Sequence, residues 1–388
     1  MKPATEIHNE DTIHRIDGNT ILSSDLTTRI QSLMDSAMVT GLAITIFNGN
    51  NVVYKQAFGK ANIKTGELLQ TDHVFYGASL SKAVFGYLVA SLVEENIIDL
   101  DKPLQEYLNV PIPELKFEED WKSFHDIAQD HRYKLLTARM CLSHTTGFPN
   151  WRWIKKTGEI DENGKLQFLF EPGSEYSYSG EGIQLLQYVI EHITNKGLEQ
   201  LARERVFDPL KMNMTSYVWQ NKFENSFCYG HTVEQSLVDK DKEEEAGSAG
   251  SMETTLDDYT KFLSNVLLLE ENKSQIPKLL FTPNIRIHSK TQFGISSLEH
   301  SQDNDAIQLS YGLGWGLLQS PFGYAAFKEG HAEGFQHYSI IFPERNCGIL
   351  ILSNSENAES IFCNLLKMSI GDQYTPCNWE NYIPFQIH

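Results

Sequence analysis

Gly77-Ala78-Ser79-Leu80-Ser81-Lys82 sets a serine and a lysine three positions apart at the head of a helical stretch. Ala83, Val84, Leu88, Val89, Leu92 and Val93 follow at helical intervals, and Glu94-Glu95-Asn96 makes the far end polar, which predicts an amphipathic helix with Ser79 in its first turn. Positions i and i+3 share a helix face, so the Ser79 hydroxyl and the Lys82 amine fall within hydrogen-bond reach. A serine hydroxyl is a poor nucleophile at neutral pH until a base takes its proton, and the free amide groups of a helix start favour developing negative charge. Two common residues at this spacing also recur by chance in surface helices. The reading therefore depends on companion motifs elsewhere.

Upstream, residues 1–23 read as a loose tail, and Ser24–Met38 as a helix capped by Ser24 with Leu26, Ile30, Leu33 and Met34 as its stripe. Leu42–Phe47 and Val52–Phe58 flank Asn48-Gly49-Asn50-Asn51, the pattern of a β-hairpin. A short strand at Val74–Tyr76 leads into the Ser79 helix and aims the serine at the edge of that sheet.

Downstream, from about Leu100 to Leu269, the apolar spacing is mostly helical. A short helix starts at Leu100-Asp101-Lys102-Pro103, and Leu135–Leu142 ends in the turn cluster Ser143-His144-Thr145-Thr146-Gly147. His144 has no carboxylate indicated beside it and reads as a structural histidine bonding nearby backbone. Asp239–Glu245 is a solvated charged loop and Asp257–Leu269 an amphipathic helix. Strand character returns at Tyr311–Leu318, Tyr324–Lys328, Tyr338–Phe342 and Gly348–Ser353, followed by a helix at Ala358–Met368. The expected fold is α/β (α+β): an antiparallel sheet built from both chain ends, flanked by helices, with a mainly helical lobe beside it. One domain is expected over residues 24–370, its sheet part at 24–76 and 305–370, its lobe at 77–304, and a second tail at 371–388. A pocket belongs between lobe and sheet.

The 388 residues suffice for a large core without staples. Lys plus Arg is 32 against Asp plus Glu 51, a net charge of −19, which argues against nucleic acid or anionic lipid as the main partner. Cys141, Cys228, Cys347, Cys363 and Cys377 are odd in number and widely spread, so buried free thiols are expected in place of a disulfide framework or zinc site. The histidines are dispersed and include no His-Glu-x-x-His, so neither a metal nor an organic cofactor is expected. The first eleven residues carry no secretory signal pattern, which implies a cytoplasmic protein unless a leader has been removed, and no apolar run has the length of a membrane span. The expected partner is a small-molecule or peptide substrate; the oligomeric state stays open.

Two companions occur in chain order. Pro172-Gly173-Ser174-Glu175-Tyr176-Ser177-Tyr178-Ser179-Gly180 is a loop leading into an apolar helix, and Tyr178 is its candidate: nearby ammonium groups would lower its pKa and let it act as a base. Lys328-Glu329-Gly330 lies on a predicted strand, followed by His331-Ala332-Glu333-Gly334-Phe335. There the lysine suits carboxylate recognition, and the glycine lets a substrate approach the strand.

With these three elements in order the chain resembles the serine β-lactamase and penicillin-binding protein superfamily, on its class C, D-alanyl-D-alanine carboxypeptidase and esterase side. Leu142–Gly147, Tyr311-Gly312-Leu313-Gly314-Trp315-Gly316, Gly334-Phe335 and Ser353-Asn354-Ser355 extend the likeness over most of the chain. The resemblance implies Ser79 as acylated nucleophile, Lys82 and Tyr178 as the proton-transfer pair and Lys328 as the third-motif lysine. It further implies an oxyanion hole from the backbone N–H groups of Ser79 and His331, with Ser179, Gly180 and Gly330 along the substrate.

Two departures bear on substrate. The middle motif, Tyr-x-Asn in class C enzymes, ends in Gly180 here, so the amide expected to meet Lys82 and an acylamino group is missing. Glu329 occupies the centre of the third motif, and strand alternation points it to the face opposite Lys328. A shifted alignment on His331-Ala332-Glu333 puts no glycine in the third slot. The expected activity is a serine hydrolase acting through an acyl-enzyme on an ester, amide or D-amino-acid peptide, with poor β-lactam turnover. A class C-like β-lactamase and a non-turnover penicillin-binding module are the alternatives.

Overall fold

The computed structural model describes residues 12–49, 51–117 and 119–385. The expectations for the first eleven residues and for Asn50 of the hairpin turn lie outside these residues.

The chain opens with β1 (Thr12–His14) and β2 (Thr20–Leu22), which pair antiparallel, and α1 (Ser23–Ala37). Residues 12–22 are therefore no loose tail: Ile13, Ile16 and Ile21 are buried in the core. Helix α1 starts one residue before the expected Ser24, and no side chain caps it. The predicted hairpin is β3 (Gly41–Asn48) with β4 (Asn51–Asn62), after which come β5 (Glu67–Leu68), β6 (Val74–Tyr76) and α2 (Leu80–Glu94). The helical middle holds α3 (Ala138–Leu142), α4 (Gly180–Thr194), α5 (Leu198–Ala202), β7 (Glu253–Thr255), α6 (Leu256–Glu271) and α7 (Gln275–Phe281). Sheet character resumes with β8 (Ile285–Arg286), β9 (Ser310–Tyr311), β10 (Gly316–Ser320), β11 (Gly323–Ala332), β12 (Phe335–Phe342) and β13 (Cys347–Ser353), and α8 (Glu359–Ser369) follows.

Among the described residues nine strands form one antiparallel sheet in the order β5-β4-β3-β13-β12-β11-β10-β9-β8, so its N-terminal and C-terminal strands meet at the β3–β13 pair. The C-terminal part of the sheet begins at β8, earlier than the expected residue 305. Strand β6 is not part of it; β6 pairs with β7 in a separate two-stranded sheet.

Core layers cover both faces of the large sheet. Ile44, Ile46, Ile349 and Ile351 pack with Ile30, Met34, Phe362 and Leu365 of α1 and α8, whereas Ala43, Phe47, Leu350 and Leu352 share the other cluster with residues of α2 and α6. Strands buried on both faces read as continuous apolar runs, which is why these two were conspicuous in the sequence. Helix α2 departs from the expected amphipathic form. It is wrapped nearly all round, with even Ser81 and Lys82 buried.

The C-terminal segment also differs from the expected tail. Cys363 on α8 is disulfide-bonded to Cys377, Trp379 is fully buried, and Tyr382 is nearly so. Cys141, Cys228 and Cys347 are the buried free thiols.

Candidate active site

The turn from β6 into α2 is held by a hydrogen bond from Gly77 N–H to the Met252 carbonyl, and Ala78 adopts a left-handed backbone conformation with φ of 46°. That conformation is uncommon for a residue with a Cβ and survives only where the surroundings enforce it. It presents Ser79, half-buried, at the mouth of α2. Ser79 makes no capping bond of its own, so its hydroxyl is left for Lys82, whose Nζ lies 3.0 Å from Ser79 Oγ.

Lys82 is 2 % exposed, and its Nζ also donates to the Ala249 carbonyl at 2.6 Å. No carboxylate touches it among the described contacts. Burial, with a smaller contribution from the Lys328 charge, holds its pKa well below the ordinary lysine value. The amine is thus disposed to be neutral and able to accept a proton.

Tyr178 and Lys328 complete the cluster. Lys328 Nζ donates to Tyr178 Oη at 3.0 Å, and the Lys82 and Lys328 ammonium positions lie 4.8 and 4.9 Å from the centre of the Tyr178 ring. The phenol does not behave as the sequence suggested. Burial, followed by the Glu329 charge, pushes its pKa well above 10, with a hydrogen bond to Ser79 acting weakly the other way. Tyr178 is a neutral phenol at neutral pH, fit to pass or donate a proton and not to act as a standing phenolate base.

Lys328, read in the sequence as suited to carboxylate recognition, is fully buried and bonded to Glu329 at 2.5 Å, so a carboxylate of the protein already engages it. Alternation along β11 was expected to separate the two. Strand β10 pairs with β11 only as far as Phe327, and just beyond that point Lys328 Nζ bonds both Glu329 Oε1 and Tyr178 Oη. Glu329 lines the cavity, with Oε1 also accepting from Gln292 Nε2 at 3.2 Å.

The remaining candidates divide. His331 lines the same cavity as Ser79, and its side chain turns out to Glu359, 2.9 Å away. At Gly330 a Cβ would come within 2.9 Å of the Gly77 carbonyl, so the close approach that demands glycine is to the Ser79 turn and not to a substrate. Ser179 is not a substrate contact: it is fully buried, caps α4 by accepting from Gly182 N–H, and donates to the Pro149 carbonyl. Gly180 begins α4, and its missing amide leaves no vacancy, because the Trp151 indole lies where a Cβ would reach to 2.5 Å. His144 is structural as read: buried, it accepts from Ser179 N–H at Nδ1 and packs 4.2 Å from the Tyr178 ring.

Ser79, Lys82 and Tyr178 line a cavity of about 450 Å³. Asn150, Trp151, Ala249 and Gly250 also line it. Sequence reasoning missed Gln292, Phe293, Glu359 and the C-terminal Glu380, Asn381 and Tyr382. The large apolar residues Trp379 and Tyr382 were the available signal, since a solvated tail has no need of them. Among the described residues no group of three or more His, Cys, Asp or Glu side chains is disposed to hold a metal, and no helix is long and apolar enough to cross a membrane.

Similar folds appear in an octameric penicillin-binding protein homologue from Pyrococcus abyssi (TM-score 0.71, 18 % identity, 93 % of this chain and 79 % of that one). The hydrolase EstCE1, which has promiscuous acyltransferase activity, has TM-score 0.68 at 17 % identity over 90 % of this chain and 99 % of its own. In sequence, penicillin-binding protein 4* of Bacillus subtilis is 21 % identical over 85 % of this chain and 71 % of its own length. Lovastatin esterase of Penicillium rubens is 26 % identical over 47 % of this chain and 50 % of its own length, and an uncharacterized protein of Alkalihalophilus pseudofirmus is 27 % identical over 46 % and 44 %. The chain thus spans about half the length of some of these relatives. The family model described as beta-lactamase matches residues 26–367, from the start of α1 almost to the end of α8, and the chain belongs to that family of serine hydrolases.

Proposed function

We propose that this protein hydrolyses an ester, amide or short D-amino-acid peptide through an acyl-enzyme on Ser79, and turns over β-lactams poorly. The observation that carries the reading is the 3.0 Å approach of a buried, depressed-pKa Lys82 amine to the Ser79 hydroxyl inside a cavity. Ser79 Oγ attacks the substrate carbonyl carbon while its proton passes to Lys82 Nζ. The carbonyl π pair moves onto oxygen, which the backbone N–H groups of Ser79 and His331 receive. Tyr178, bonded to Lys328, relays the proton to the departing alkoxide or amine. Water then attacks the acyl-enzyme with the proton transfers reversed, releasing the acid and restoring Ser79.

Two features support poor β-lactam turnover: the amide expected at position 180 is absent, and Trp151 fills its place. Glu329 on the cavity wall adds a carboxylate unfavourable to an anionic substrate.

The test is labelling with a fluorophosphonate followed by mass spectrometry, alongside turnover of p-nitrophenyl esters and a chromogenic cephalosporin. Label on Ser79 and faster ester turnover, both lost in Ser79→Ala, are expected. Label on another serine, or cephalosporin hydrolysis outpacing every ester, would sink the proposal.

A further inference from the structure

We propose that the cavity over Ser79 selects substrates carrying a primary ammonium group, received by Glu380 and Glu329. This names a substrate class for the serine hydrolase reading above and rests on it.

Three carboxylates from three parts of the chain line the cavity: Glu329 on β11, Glu359 at the start of α8, and Glu380 on the segment beyond it. Glu359 is engaged by His331. The other two are incompletely satisfied. Glu329 is 4 % exposed, and its Oε1 takes Lys328 and Gln292 while Oε2 has no hydrogen-bond partner. Glu380 is 6 % exposed, and its Oε1 likewise has none. Buried carboxylate oxygens without a donor are unusual and call for an explanation.

Cations within the cluster do not supply one. Lys82 is turned to Ser79 and the Ala249 carbonyl, and Lys328 already serves Tyr178 and Glu329. Burial and then the Glu329 charge push the Glu380 carboxyl well above the ordinary range, with Lys328 acting the other way, so an entering cation would favour its ionised form. An entering ammonium brings one positive charge and three N–H donors, which suits two orphan acceptor oxygens. Trp151 and Phe293 on the same cavity add aromatic faces of the kind that attract cations. A substrate carboxylate would meet acid where the ammonium meets a partner.

Glu380 is held in place. Its N–H donates to the Pro376 carbonyl, the adjoining Trp379 is buried with Nε1 bonded to Ser289 Oγ, and Cys377 is tied to α8.

The experiment compares kcat/KM for p-nitroanilides and p-nitrophenyl thioesters of matched length ending in an amine, a methyl or a carboxylate: β-alanyl, butyryl and succinyl. The expected order is β-alanyl over butyryl by about tenfold or more, with succinyl lowest, and Glu380→Gln should cut the β-alanyl to butyryl ratio about tenfold. Benzylamine should inhibit butyryl hydrolysis more strongly than benzoate, a comparison that needs only the unaltered protein should Glu380→Gln not fold. Butyryl turnover equal to or above β-alanyl, a ratio unmoved by Glu380→Gln, or stronger inhibition by benzoate would overturn the inference. Butyryl turnover lost in Ser79→Ala keeps the parent reading intact in those cases; butyryl turnover that survives Ser79→Ala refutes the parent reading itself.

Discussion

The Trp151 indole covers Gly180 so closely that a Cβ at position 180 would lie 2.5 Å from its ring. Gly180 does not have a positive φ, so its backbone would accept asparagine, and the obstacle is space alone. Gly180→Asn by itself should therefore lower stability by about 1–3 kcal/mol, the usual cost of overpacking, without improving β-lactam turnover. Combined with Trp151→Ala, the same change should recover much of that loss and raise the ratio of cephalosporin to ester hydrolysis. Thermal melts and the two rates in both backgrounds check this. A shift in the ratio from Gly180→Asn alone would show that Trp151 moves aside freely.

The Cys363–Cys377 bond closes a loop of 14 residues and anchors the segment that carries Glu380 and Tyr382 into the cavity. For a loop of this size the stabilisation is about 3 kcal/mol. Cys363→Ser should lower the melting temperature of oxidised protein accordingly and raise KM, since cavity walls lose their anchor. Titration of thiols in unreduced protein under denaturant should give three. Five free thiols would mean that the bond does not form.

How much of this was legible beforehand follows from how local each signal is. Ser79 and Lys82 meet through an i, i+3 relation that any helix enforces, and β3 and β13 announced themselves because burial on both faces makes unbroken apolar runs. Tyr178 and Lys328 were picked out from their own loop and strand motifs and received their roles through resemblance, as no spacing rule links them to Ser79. Lys328 and Glu329 were assigned to opposite faces because alternation fixes where side chains leave the strand and not where long ones end, and the ion pair between them is a tertiary fact. The segment beyond α8 packs Trp379 and Tyr382 without periodicity, so only their size gave a sign.

Lys328 and Glu329 are 0 % and 4 % exposed, and the pair sits beside Glu380. Removing one member of a buried ion pair strands the other, at about 3–5 kcal/mol. Lys328→Met should thus destabilise the protein strongly, and Lys328→Met with Glu329→Gln should regain most of the loss. Denaturant melts of the single and double variants measure the coupling. If Lys328→Met is mild and instead selectively weakens carboxylate-bearing substrates, the lysine is available to substrate after all.

The depressed pKa of Lys82 sets the direction of the pH dependence. Unfolded, the side chain keeps its ordinary value of 10.5; folded, burial moves it well below, so folding releases its proton at intermediate pH. The unfolded state binds the extra proton between the two values, so the contribution of Lys82 to stability rises with pH across that window and is flat outside it. Catalysis by a neutral amine shares the lower limit: kcat/KM should climb with pH through the folded Lys82 pKa and level off well below 10.5. Tyr178→Phe should lower the plateau by about 10²-fold or more and leave this acidic limb, because the phenol titrates far above it. Lys82→Arg puts a permanent cation beside Ser79 that cannot lose its proton, so it should abolish the limb with the activity. A limb that vanishes in Tyr178→Phe while Lys82→Arg retains activity would hand the role of base to the tyrosine.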